Sequence, residues 1–184
     1  MRFNIKIMNS KKILIPLSLG LIGLFVFNSC KAKIPAGAEP VRNFDKERYL
    51  GKWYEIARLD FTWEKNLNNV TAEYGTKDNG NISVLNRGYD YKKDKWKESE
   101  GEAKPVGDAT VGSLKVAFFK PFWAGYNVID LEDYRYALVI GDSLDNMWIL
   151  SREKTIPDDI KQRFLAKAKS IGYQTEDLIW VKHD

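Results

Sequence analysis

Between Trp53 and Arg152 the chain is a succession of short runs in which apolar and polar residues alternate, each parted from the next by little more than turn residues. This limits the fold more than any other feature of the sequence. Parallel neighbours need a crossover of a dozen or more residues, so strands that follow one another this closely pair antiparallel. Asp78-Asn79-Gly80-Asn81 is the clearest of the turns, because Asn-Gly supplies the positive φ of a tight hairpin. The runs predict strands at about 52–60, 69–77, 81–90, 95–104, 114–119, 126–132, 134–141 and 147–152. Eight such strands make a sandwich or a barrel. Lys120-Pro121-Phe122-Trp123-Ala124-Gly125 is expected as an aromatic-rich loop, since Pro121 has no N–H to give a central ladder.

One helix follows the strands. Ile160, Phe164, Ala168 and Ile171 recur at three- and four-residue spacing and form one apolar stripe. Thr155 or a neighbour is expected as its cap, Pro157 suits its first turn, and Asp158 and Asp159 stand where the helix dipole favours acids. Gly172 is a natural terminator. Leu178-Ile179-Trp180-Val181 predicts a short ninth strand, and residues 45–50 a single helical turn ahead of the first.

The opening residues have a different purpose. Arg2, Lys6, Lys11 and Lys12 precede an apolar stretch from Ile13 to Phe27, with no acid among them. Fifteen helical residues reach about 22 Å, short of the ~30 Å hydrocarbon core, so the pattern is that of a secretory signal rather than a membrane span. Those four residues are the whole surplus of the chain's 29 basic over 25 acidic residues. The remainder is charge-balanced, and nothing in it argues for nucleic acid as a partner. Phe27-Asn28-Ser29-Cys30 resembles a bacterial lipoprotein box, with Phe where Leu is usual. The resemblance implies cleavage before Cys30 and lipid on its sulfur and new amino group. Cys30 is the only cysteine, so an exported domain has no internal disulfide and its core must suffice. The layout expected is a signal at 1–29, a lipidated cysteine and tether at 30–43, and one domain at 44–184. No acidic run follows Cys30, which favours the periplasmic face of the outer membrane.

Four features in order resemble the lipocalin family. Gly51-Lys52-Trp53-Tyr54 is similar to the family's Gly-x-Trp-Tyr at the head of the first strand. Tyr136 to Asp142 resembles its second signature, Ser151-Arg152 ends strand eight where the family sets an arginine over the tryptophan, and the helix follows in place. Within the family, Pro121-Phe122-Trp123-Ala124-Gly125-Tyr126-Asn127-Val128 and Trp148-Ile149-Leu150-Ser151-Arg152 look like the bacterial outer-membrane lipoprotein lipocalins near the apolipoprotein D branch. The resemblance implies an all-β fold, an eight-stranded antiparallel up-and-down barrel with one helix packed outside. It also implies a structural floor of Trp53 and Arg152, and fatty acids or lysophospholipids as ligands.

Alternation from Trp53, with the family's register, predicts an inward lining that begins with Ala57, Val70, Ala72, Tyr74 and Val84. It continues with Leu114, Val116, Phe118, Tyr126, Val128, Leu138 and Trp148. The set is mostly apolar and includes small residues, so an alkyl chain could be buried there, although a filled core is the alternative. Phe122 and Trp123 are expected at the mouth, as rim, gate or homodimer contact, and Tyr74, Tyr126 or a lysine as holder of a lipid head group. Other readings are a carrier of a haem, bilin or sterol, and an envelope stress factor acting through protein contacts. No cofactor or metal site is expected. His183, the only histidine, stands next to the end, where fraying is expected, and no Ser/His/Asp set or Cys/His cluster can be assembled.

Overall fold

The computed structural model describes residues 33–184. The stretch expected as a secretory signal, Cys30 and the first residues after it lie outside the described residues. A single helical turn, α1 (Lys46–Tyr49), is capped by Asp45, whose side chain accepts from the N–H groups of Glu47 and Arg48. Eight strands follow: β1 (Gly51–Arg58), β2 (Leu67–Thr76), β3 (Ile82–Asp90), β4 (Lys95–Pro105), β5 (Ser113–Phe119), β6 (Phe122–Glu132), β7 (Tyr136–Ile140) and β8 (Met147–Ser151). Then come helix α2 (Asp158–Ile171) and the two-residue strand β9 (Ile179–Trp180).

Each strand pairs antiparallel with the next, and β1 pairs with both β2 and β8, which closes the sheet into a barrel. Strand direction sorts the connections between the two ends. The turns after β2, β4 and β6 lie at the end where β1 begins. The loop 59–66 and the turns after β3, β5 and β7 lie at the other. β1 meets β2 only from Gly51 to Tyr54; beyond that, Ala57 and Arg58 pair with β9 instead. The upper half of the barrel is therefore split between β1 and β2, and the C-terminal segment bridges the split. Val181 donates to the Ile56 carbonyl at 2.9 Å, and Asn69 donates to the Lys182 carbonyl at 2.8 Å.

Three expectations need correction. The aromatic stretch 120–125 is mostly strand: Phe119 and Phe122 face each other across a turn of Lys120 and Pro121 alone, so the proline stands outside the ladder and blocks nothing. The cap of α2 is not Thr155. Pro157 holds the N-cap position with no side-chain bond, and Thr155 gives its carbonyl to the Ser151 hydroxyl instead. The stretch expected as a tether is, from Ile34 onward, laid on the barrel. Ile34 and Ala38 pack against the wall, Val41 donates to Val128, and Phe44 donates to Thr110, both at 2.8 Å.

Two apolar layers result. One lies between the barrel and α2, where Ile160, Phe164 and Ala168 meet Ile129, Leu138 and Ile149. The other is the barrel's interior, gathered around Trp53.

Candidate functional site

The closed end is sealed by aromatic rings and one arginine. Trp53 is fully buried and donates its indole N–H to the Tyr49 carbonyl at 2.8 Å. The Arg152 guanidinium lies 3.9 Å from the indole centre. It donates to the carbonyls of Tyr134, Lys52, Arg48, Tyr49 and Leu50, at 2.8–3.2 Å. Above this plug three tyrosine hydroxyls form a chain, Tyr49 to Tyr126 at 2.6 Å and Tyr126 to Tyr74 at 2.8 Å. Burial pushes all three phenols above their ordinary range, so they stay protonated. Tyr74 and Tyr126, expected as holders of a head group, thus satisfy each other deep in the barrel.

Apart from these hydroxyls, the interior set expected from the sequence is mainly apolar. Val84, Leu114 and Val128 are buried in the interior cluster, while Ala72, Val116, Phe118, Tyr126 and Trp148 border it and keep part of their surface accessible. The Phe118 ring lies over Gly101, where an added Cβ would come within 2.8 Å of it. Val70 stands nearer the mouth, against Gly88 beside Leu67.

Two residues expected inside face the other way. Ala57 and Leu138 belong to the layer under α2. A register shift between Glu55 and Ala57 breaks the alternation in β1, leaving Ala57 outside and turning Arg58 in. In β7 the phase differs by one residue, so that Ala137 and Val139 line the interior and Leu138 meets the helix. Trp123 is not at the rim either. It lies one position out of phase with Phe122, with the ammonium groups of Lys104 and Lys115 4.6 and 5.5 Å from its ring centre. Phe122 is at the mouth and 78% exposed.

A charged cluster stands in the upper barrel that the sequence reading overlooked. Arg58, 1% exposed, donates to the Glu55 carboxylate at 2.7 Å, to the Glu64 carbonyl at 2.7 Å and to the Leu67 carbonyl at 3.3 Å. Its Nε–H makes no hydrogen bond, and the Glu64 carboxylate lies 4.0 Å from that nitrogen. The Trp148 indole donates to the Glu64 carboxylate at 3.1 Å. Burial and the neighbouring Glu64 charge push the Glu55 carboxyl up to about 8, against the pull of Arg58, and burial raises Glu64 as well. Period-two counting from Trp53 does place Glu55 inside; Arg58 arrives there only through the bulge. His183 is not frayed. Its Nε2 lies 2.8 Å from the Glu55 carbonyl, and its ring meets Tyr54 edge-on.

An eight-stranded barrel closed at one end by a tryptophan under an arginine, with mostly apolar side chains facing its interior, defines a class whose interior is either filled by side chains or holds one small ligand. The lipocalin-like domain matches residues 44–183, and the chain belongs to the lipocalin family. It is 46% identical over 171 residues to the outer membrane lipoprotein Blc of Citrobacter freundii, covering 92% of this chain and 97% of that one. Apolipoprotein D of Bos taurus is more distant, 32% identical over 163 residues, with 80% and 81% covered. Among solved structures, the allergen Per a 4 from cockroaches superposes with a TM-score of 0.66 at 22% identity, covering 84% of this chain and 97% of that one, and so shares the fold.

Proposed function

We propose that the protein is an outer-membrane lipoprotein that carries single-chain lipids, fatty acids or lysophospholipids, with the alkyl chain in the barrel. The observation that carries this reading is the incomplete burial of Ala72, Val116, Phe118 and Trp148, apolar side chains facing the interior above a sealed floor. Well-filled cores bury such residues entirely. An alkyl chain taken from water gains about 0.8 kcal/mol per buried CH₂, so no specific polar contact is needed for binding. The likeness to proteins named outer membrane lipoprotein Blc supports the location. So does the cysteine at 30. A lipid there, three residues before Lys33, would hold the barrel within about 10 Å of its leaflet, because the chain from Ile34 onward is already laid on the wall.

Native mass spectrometry of the mature protein, stripped of lipid and offered saturated fatty acids of increasing length, tests this. One adduct per chain is expected, with affinity rising with length until the chain reaches the Tyr49–Tyr126–Tyr74 layer. No adduct at any length would overturn the reading.

A further inference from the structure

The two ends of the barrel differ in what they leave in water. Every connection at the mouth presents an exposed large apolar side chain: Trp63 in the loop 59–66, Tyr91 after β3, Phe119 and Phe122 on either side of the turn after β5, and Leu144 after β7. Among the described residues, the turns at the closed end, after β2, β4 and β6, expose none. Such side chains scattered singly need no explanation, but a set gathered round one end marks a contact surface. All but Leu144 are aromatic, the residue types that settle at the boundary between water and lipid. The charges of these connections are of both signs, as in Lys92-Lys93-Asp94 and Asp142-Ser143-Leu144-Asp145. Apolar contact, not net charge, is therefore what this end has to offer a partner.

We propose that the mouth rests on a lipid bilayer, with its ring of aromatic side chains set into the head-group region. The proposal rests on the membrane location in the reading above. It asks nothing of the barrel's interior and stands whether or not a lipid is bound there. Cys30 stands three residues before Lys33, so an anchor there leaves a reach of only about 10 Å. A tether that short keeps some face of the domain against the bilayer, and the mouth end is the one whose connections all carry exposed apolar groups. Those groups sit on four separate connections. A deformable surface meets all of them at once without needing a matching shape.

The test uses the mature chain with Cys30→Ser, so that no attached lipid holds it to a membrane. It is floated with phosphatidylcholine vesicles at low and at high salt. The chain should rise with the vesicles to the same extent at both, because screening weakens charge contacts and not apolar ones. Trp63→Ala/Phe122→Ala should lower the partition coefficient by about tenfold or more, since interfacial binding scales with the apolar area buried. Both side chains are exposed, and circular dichroism checks that the variant is folded. Vesicles with brominated acyl chains supply a second readout. Trp63→Phe keeps a ring at the site, so it should bind nearly as well and lose part of the tryptophan quenching that its parent shows. A parent chain that does not float overturns the proposal, as does binding that high salt abolishes. A folded double variant that floats like its parent, or quenching that Trp63→Phe leaves unchanged, moves the contact to another face and overturns it too. If the parent sediments as a dimer that the double variant breaks, and does not float, a second copy covers the ring and the bilayer assignment falls. Fatty-acid adducts measured without vesicles judge the carrier reading separately, so either can fail while the other stands.

Discussion

Arg152 bonds to carbonyls from three separate stretches of chain: Arg48 to Leu50, Lys52 and Tyr134. A planar fork of five donors can do this and a lysine cannot. Replacing Arg152 by Ala leaves those carbonyls to water and uncovers Trp53. A loss on the order of 3 kcal/mol is expected, with lipid affinity per folded molecule little changed, because the proposed function puts the alkyl chain above the tyrosine layer. Thermal unfolding paired with lipid titration checks both halves; intact stability with lost binding would reverse the assignment. Glu55 gives a second test. Its folded carboxyl is raised to about 8 from the ordinary value near 4.3, so the folded state holds the proton more tightly than the unfolded chain. Stability from this group is complete below about pH 4.3 and is lost as pH rises towards 8. Glu102 acts in the opposite sense and in another window. Hydrogen bonds from Lys120, Asn81 and Lys77 hold it down to about 2, so its contribution fades only as pH falls below the ordinary carboxylate range. Between pH 5 and 8 the melting temperature should therefore fall more steeply for the native protein than for Glu55→Gln, and parallel curves would show that Glu55 does not titrate there.

At the scale of elements, the strand order, the outer helix and its apolar stripe could be read from periodicity, because β-strands and amphipathic helices repeat at 2 and 3.6 residues. Phe164 and Ala168 face the barrel as their spacing requires. What periodicity could not give is a change of phase. One register shift in β1 exchanges Ala57 for Arg58 on the inner face, and so turns an expected small apolar wall residue into a buried cation. Leu138 shows the same limit in a milder form. All five residues of β7 are buried, so both faces are apolar and neither announces itself as the inner one. Pro121 is a different case: a proline bars a central ladder position, but here it occupies the two-residue turn, so the aromatic residues after it are free to pair as strand. The two layers are separate enough to be tested apart. Phe164→Ala should cost about 3–5 kcal/mol, the range for a buried phenylalanine, and leave lipid stoichiometry at one per chain. A fall in stoichiometry among folded molecules would mean that the helix layer and the lumen communicate.

At the scale of the whole molecule, the large apolar side chains that the described residues leave in water are gathered mostly at one end. Trp63, Phe119 and Phe122 are 69, 67 and 78% exposed, and all three lie at the open mouth. Trp63 belongs to the loop 59–66 between β1 and β2, and Phe119 to the turn between β5 and β6, half-way round an eight-stranded circuit. Their ring centres are nevertheless 5.9 Å apart, so the pair spans the mouth. An aromatic pair of this kind contributes roughly 0.5–1.5 kcal/mol, enough to hold a loop in place and too little to lock it. On the proposed function, lipid passing into the barrel has to part the two rings or slip beside them, and lipid leaving has to do the same. Trp63→Ala removes the bridge without touching the lumen wall or the floor. Stopped-flow measurements should show association and dissociation of a fluorescent fatty acid both quickened by a similar factor, with the equilibrium constant changed by less than about threefold. A variant that weakens binding through dissociation alone would instead make Trp63 part of the binding surface, and the mouth would be a wall of the site, not its gate.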